Sequence, residues 1–120
     1  MEKALAGDAK AIITTGGTGI ATRDTTFEAI SALIERPMPG FGELFRMLSY
    51  DQIGPGAMLS RACAGITNRR VLFVLPGSEK AVTLAMEKLI VPELGHIVSE
   101  MTKGESIETV DAIENWLDRQ

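Results

Sequence analysis

An α/β fold is predicted by two short apolar runs, Ile12–Thr15 and Val71–Leu75, each of strand length and each broken by glycine ahead of a helix. The first run gives way to Gly16-Gly17-Thr18-Gly19 and restarts as a helix after Arg23-Asp24; the second stops at Pro76-Gly77-Ser78. A strand, a glycine turn and a helix N-terminus in succession suit an anion. Glycine lets the backbone approach a ligand, and the free N–H groups of the turn point towards it. With 120 residues the chain can build one core, burying about two thirds of the surface of the unfolded chain. A net charge of −4 gives no electrostatic reason for nucleic acid or an anionic membrane as partner, so neither is expected. No apolar run is long enough to span a bilayer, and the N-terminus lacks the charged-then-apolar pattern of a signal peptide. The single cysteine, Cys63, fits a reducing compartment, and a cytoplasmic protein is expected.

Taken in order, Met1–Lys10 reads as the end of a helix closed by Gly7, and Ile12–Thr15 as the first strand. Thr25 followed by Glu28 has the spacing of a capping box, which predicts a helix over Thr26–Glu35 with Phe27, Ile30, Leu33 and Ile34 inward. Pro37 and Pro39 stop that helix and hold an extended connection. Phe41, Leu44, Phe45 and Leu48 recur at helical spacing, so Gly40–Tyr50 is expected to be an amphipathic helix. Ile53-Gly54-Pro55-Gly56 reads as a link, and Ala57–Ala64 as a helix, with a short strand the alternative. Asn68-Arg69-Arg70 is turn-like and precedes the second strand. Ser78 is a good N-cap for a helix to Ile90, with Val82, Ala85, Met86, Leu89 and Ile90 inward. Pro92 starts further helix through Met101, closed by Gly104. Ser106–Leu117 forms an amphipathic stripe of Ile107, Val110, Ile113, Trp116 and Leu117 that needs a surface to dock on.

The first glycine loop is the centre of the chemistry. Thr14, Thr15 and Thr18 add hydroxyls around it, and Asp24 follows it. A carboxylate beside phosphates normally serves a metal such as Mg²⁺, because otherwise like charges repel; the plainer alternative is a first-turn acid favoured by the helix dipole. The loop is neither a Walker A nor a Gly-x-Gly-x-x-Gly sequence. Arg61 suits a bidentate phosphate clamp, although it and Ser60 could equally be surface residues. Cys63 is expected to be a small buried hydrophobe. His96, the sole histidine, has no matching ligands for a metal site.

Thr14-Thr15-Gly16-Gly17-Thr18-Gly19 with Arg23-Asp24 resembles the signature of the MoaB/MogA family of molybdenum-cofactor biosynthesis proteins. The resemblance continues through Pro39–Tyr50, Ala57-Met58-Leu59-Ser60-Arg61 and Leu75-Pro76-Gly77-Ser78, and covers residues 10–101; the Phe41–Ser49 version is more similar to MoaB. It implies a three-layer parallel-sheet molybdopterin-binding fold over 1–103, shortened at its N-terminus, with 104–120 as a C-terminal helical extension. It implies binding of molybdopterin and ATP with Mg²⁺, and transfer of AMP to the terminal phosphate of molybdopterin with release of pyrophosphate. Asp24 would hold the metal. Thr15, Gly16, Gly17, Thr18, Gly19, Glu43, Ser60, Arg61, Pro76, Gly77 and Ser78 would bind substrate, with Glu43 accepting from pterin N–H groups. Family members carry a second acidic residue in the segment missing here, so a non-catalytic molybdopterin carrier is the alternative. The shortened start would leave the edge of the first strand open, and a homotrimer or homohexamer is expected.

Overall fold

The computed structural model describes residues 8–103. A sheet in the order β1-β4-β3-β2 lies between helices on its two faces. Its strands are β1 (Ala11–Thr15), β2 (Arg36–Pro37), β3 (Cys63–Thr67) and β4 (Arg70–Leu75). The helices are α1 (Thr26–Ser31), α2 (Pro39–Ile53) and α3 (Glu79–Ala85). A 3₁₀ segment spans Gly54–Leu59, and a π-helical turn over Met86–Ile90 prolongs α3 into further helix at 91–103. Of the helix end expected over Met1–Lys10, residues 1–7 lie outside the described residues and residues 8–10 are not helical; the amphipathic stripe expected over Ser106–Leu117 lies wholly outside them.

β4 is the centre of the fold. Val71, Leu72, Phe73, Val74 and Leu75 are all fully buried, as a continuous apolar run requires when both faces of a strand are covered. The pleat sends Val71, Phe73 and Leu75 to one face, where Phe41 and Phe45 of α2 meet Leu84, Ala85 and Ile90. Phe41 stacks on Phe45 with ring centroids 6.2 Å apart and meets Phe73 edge-on at 5.2 Å. Leu72 and Val74 face the other way, onto Ile12 and onto Ile30 of α1. These are the three layers expected.

The sheet is mixed. Parallel pairing is confined to β1 and β4, from Ala11 opposite Val71 to Thr15 opposite Leu75. β3 runs antiparallel to β4, and β2 antiparallel to β3. The cause is the turn between Thr67 and Arg70, where Asn68 and Arg69 both have positive φ, 48° and 61°. Two such residues make the hairpin turn whose twist matches a two-stranded ribbon. The helix expected over Ala57–Ala64 is therefore replaced by the 3₁₀ segment followed by a strand, the alternative left open at that position. Pro37 joins only an edge strand, as its missing N–H demands. α1 ends at Ser31, short of the expected Glu35. Val91 N–H bonds to Met86 O five residues back, immediately before Pro92. That wider turn takes up the point where proline cannot continue the α-helical ladder.

Candidate functional site

The two glycine turns come together at the carboxyl ends of the parallel pair. Gly16 N–H donates to Leu75 O at 2.8 Å, which ties the start of the first loop to the end of β4. A Cβ added to Gly77 would lie 3.3 Å from Gly16 Cα, so the turns touch backbone to backbone. Gly16 and Gly17 have φ of 96° and 71°, a region glycine enters without strain. A side chain at Gly17 would also run into Thr26. Among the described residues, neither a carbonyl nor a side chain takes the N–H groups of Gly17, Thr18 and Gly19. Thr18 is buried, and the partly accessible N–H groups of Gly17 and Gly19 are unspent donors of the kind an anion binds.

Asp24 is half-buried and folds back on the loop. Its Oδ2 accepts from Ala21 N–H at 3.1 Å, while its own N–H donates to Ala21 O at 2.9 Å. The capping box expected at Thr25 and Glu28 does not form. Thr25 occupies the N-cap position without a side-chain cap, and Glu28 reaches Arg61 instead. A guanidinium pairs with a carboxylate more strongly than a neutral cap bonds it. The same Arg61 hydrogen bond holds the Glu28 carboxyl below its ordinary value.

Arg61 is fastened on every side. Its N–H donates to Thr18 O at 2.9 Å, Nε to Gly19 O at 3.1 Å, and Nη2 to Asp24 O at 2.8 Å. Nη1 pairs with Glu28 Oε1, Nη2 also meets Glu28 Oε2 at 3.3 Å, and the guanidinium lies 4.7 Å above the Phe27 ring. Ser60 bonds its own segment: its Oγ accepts from Ala62 N–H at 3.3 Å. Ser78 caps α3, accepting from Ala81 N–H at 3.2 Å, as its place after Pro76-Gly77 predicts. Thr15 is exposed at the end of β1, and Thr18 is buried.

Glu43 stands apart from the loop. It is exposed on α2, in the wall of a cleft of about 400 Å³ shared with Phe27, Ser31, Arg46 and Cys63. Cleft and loop adjoin at the Phe27–Arg61 contact. Cys63 is half-buried there, and burial pushes its thiol up. Sequence reasoning missed Arg46, whose Nη1 bonds Ser60 O at 3.2 Å and Ala62 O at 2.9 Å. No spacing in the sequence links residue 46 to residues 60–62. For a divalent cation the donor set is small. No group of three His, Cys, Asp or Glu residues converges among the described residues, and Glu28 is paired. Asp24 uses Oδ2 for the Ala21 N–H and leaves Oδ1 without a hydrogen bond among the described residues; a Mg²⁺ site beside phosphate oxygens needs only one or two carboxylates. No helix among the described residues is long and apolar enough to cross a membrane.

Known proteins share this fold. Residues 1–96 match the protein family described as "Probable molybdopterin binding domain". The chain is 55% identical over 104 residues to Molybdenum cofactor biosynthesis protein B of Staphylococcus aureus, covering 86% of this chain and 62% of that protein. A crystal structure of Molybdenum cofactor biosynthesis protein B superposes with a TM-score of 0.79 at 52% identity, covering 85% of this chain and 67% of that one. The tungsten cofactor synthesizing protein MoaB of Pyrococcus furiosus gives 0.78 at 40% identity, over 83% and 64%. The chain thus spans about 62% of the length of the curated relative it matches. On its glycine loop, its fold and these matches, the chain belongs to the molybdopterin-binding domain family of the MoaB/MogA molybdenum-cofactor biosynthesis proteins.

Proposed function

We propose that this protein acts in molybdenum cofactor biosynthesis, binding molybdopterin by its terminal phosphate and adenylylating that phosphate with Mg-ATP. The observation that carries the reading is the contact of the two turns, with free N–H groups at Gly17 and Gly19 beside it. In this reaction a terminal phosphate oxygen attacks the α-phosphorus of ATP. A new P–O–P bond forms, the bond from the α-phosphorus to the bridging oxygen breaks, and pyrophosphate leaves. One phosphate attacks another, so no protein nucleophile is needed; the protein must align two anions and offset their charge. Mg²⁺ would neutralise the phosphate charge, and Asp24 is the residue that would hold it. The loop N–H groups and the Pro76-Gly77-Ser78 turn would orient the phosphates, and Glu43 in the adjoining cleft would accept from the pterin.

A carrier that binds molybdopterin without turning it over is the second reading, and the small donor set favours it: Asp24 is the one carboxylate at the loop left for a metal among the described residues. Incubation of the purified protein with molybdopterin and Mg-ATP separates the two. Adenylylated product from the wild type, cut at least about tenfold in Asp24→Asn, is the result expected of the enzyme. Tight binding without product selects the carrier, and failure to bind molybdopterin removes both. Self-association into a homotrimer or homohexamer belongs to the same proposal. It is supported by the exposed Leu44, Met47, Tyr50 and Met58, 48%, 58%, 58% and 76% accessible, along α2 and the 3₁₀ segment. A native mass showing monomer alone would remove it.

A further inference from the structure

We propose that Arg61 is a positioning residue for the Gly16–Gly19 loop: it takes the carbonyls of Thr18 and Gly19 and leaves the N–H groups of Gly17 and Gly19 free for a phosphate. The phosphate half of this rests on the function proposed above. A glycine loop carries acceptors as well as donors, and exposed carbonyl oxygens would repel an anion as strongly as N–H groups attract it. Here the carbonyls of Thr18, Gly19 and Asp24 are all taken by residue 61, one by its backbone N–H and two by its guanidinium. The Thr18 and Gly19 carbonyls of the loop are thereby turned away from a ligand, while the N–H groups of Gly17 and Gly19 stay open to it. Glu28 balances the guanidinium charge and the Phe27 ring lies beneath its Cζ, so the fork is held from two sides.

The support runs one step further back. Arg46 holds the segment from which Arg61 springs, through Ser60 O and Ala62 O. Gly42 leaves space for this, since a Cβ there would sit 2.9 Å from Ala62 O. The two arginines act in series: one fixes residues 60–62 and the other fixes the loop. A side chain employed in this way is not a phosphate clamp, the role its residue type suggests in the sequence.

The two roles give opposite signs in one variant. Glu28→Gln removes a negative charge near the site and releases Arg61. A direct clamp would then bind an anion more tightly, whereas a positioning residue deprived of its partner would bind it more weakly. The probes are inorganic pyrophosphate, titrated calorimetrically, and hydrogen exchange at the Ala21, Asp24 and Arg61 amides, all bonded within this corner. Expected in Glu28→Gln is a loss of roughly tenfold in pyrophosphate affinity. Faster exchange at those amides, by about tenfold, should accompany it with no change across Val71–Leu75. Arg61→Lys keeps the charge but loses the fork and should behave alike. Unchanged corner exchange, exchange raised equally in β4, tighter binding in Glu28→Gln, or wild-type affinity in Arg61→Lys would each overturn the proposal. Faster exchange confined to the corner in a protein that takes up no pyrophosphate would sustain the positioning role and sink the phosphate reading.

Discussion

The turns after β1 and β4 meet at Gly16 and Gly77, yet they are held by different means. The turn after β4 is closed by its own neighbours: Ser78 caps Ala81 N–H with its side chain and Val82 N–H with its carbonyl, at 3.2 and 3.0 Å. The turn after β1 has Thr25 in the cap position with no side-chain cap, and takes its shape from Asp24 and from Arg61 on a distant segment. The self-capped turn needs only local bonds, from Ala81 and Val82 of the helix it opens. A turn braced from outside through its carbonyls keeps its donors for a ligand, at the cost of depending on remote residues.

The comparison breaks most drastically if the shared platform goes. Phe73 is fully buried in β4 and packs edge-on against Phe41, so Phe73→Ala should cost about 3–5 kcal/mol of stability by denaturant unfolding. A cost below about 1 kcal/mol would mean that β4 is not what holds the two turns together. The caps themselves provide the next contrast. Ser78→Ala should cost about 1 kcal/mol, whereas Thr25→Ala, with no cap bond to lose, should cost a few tenths at most. Equal costs in thermal melts would erase the distinction between the turns.

The smallest effect is one of pH. Arg61 lowers the Glu28 pKa from 4.5, so the carboxylate is favoured in the folded protein. Its contribution is complete above pH 4.5 and fades as pH falls through the lower folded value. Following the Glu28 carboxyl resonance by NMR should give a midpoint below 4.5, which Arg61→Lys moves upward. A midpoint at or above 4.5 would mean that the brace is absent in solution.

Much of this fold is legible locally. Val71–Leu75 had to be a strand covered on both faces, and Ser78 had to start a helix, because pattern and cap chemistry act within a few residues. Gly16, Gly17 and Asp24 were legible as one corner for the same reason. β3 was not legible. Cys63-Ala64-Gly65-Ile66-Thr67 has weak strand character and becomes a strand by pairing with β4 across a turn that lacks the usual glycine. The capping box failed because Glu28 met a stronger partner, a guanidinium 33 residues away, that no local rule weighs.

By itself the sequence determined the residue types and spacings that close within a turn or two: the buried strand, the glycine corner, the self-capped helix. Tertiary structure alone decided which groups would be spent and which left free. Arg61 and Glu28 pair with each other, Arg46 secures residues 60–62, and the loop keeps its N–H groups. The physical reason is competition. Each donor and acceptor goes to the strongest partner within reach, and reach is known only once the chain has folded.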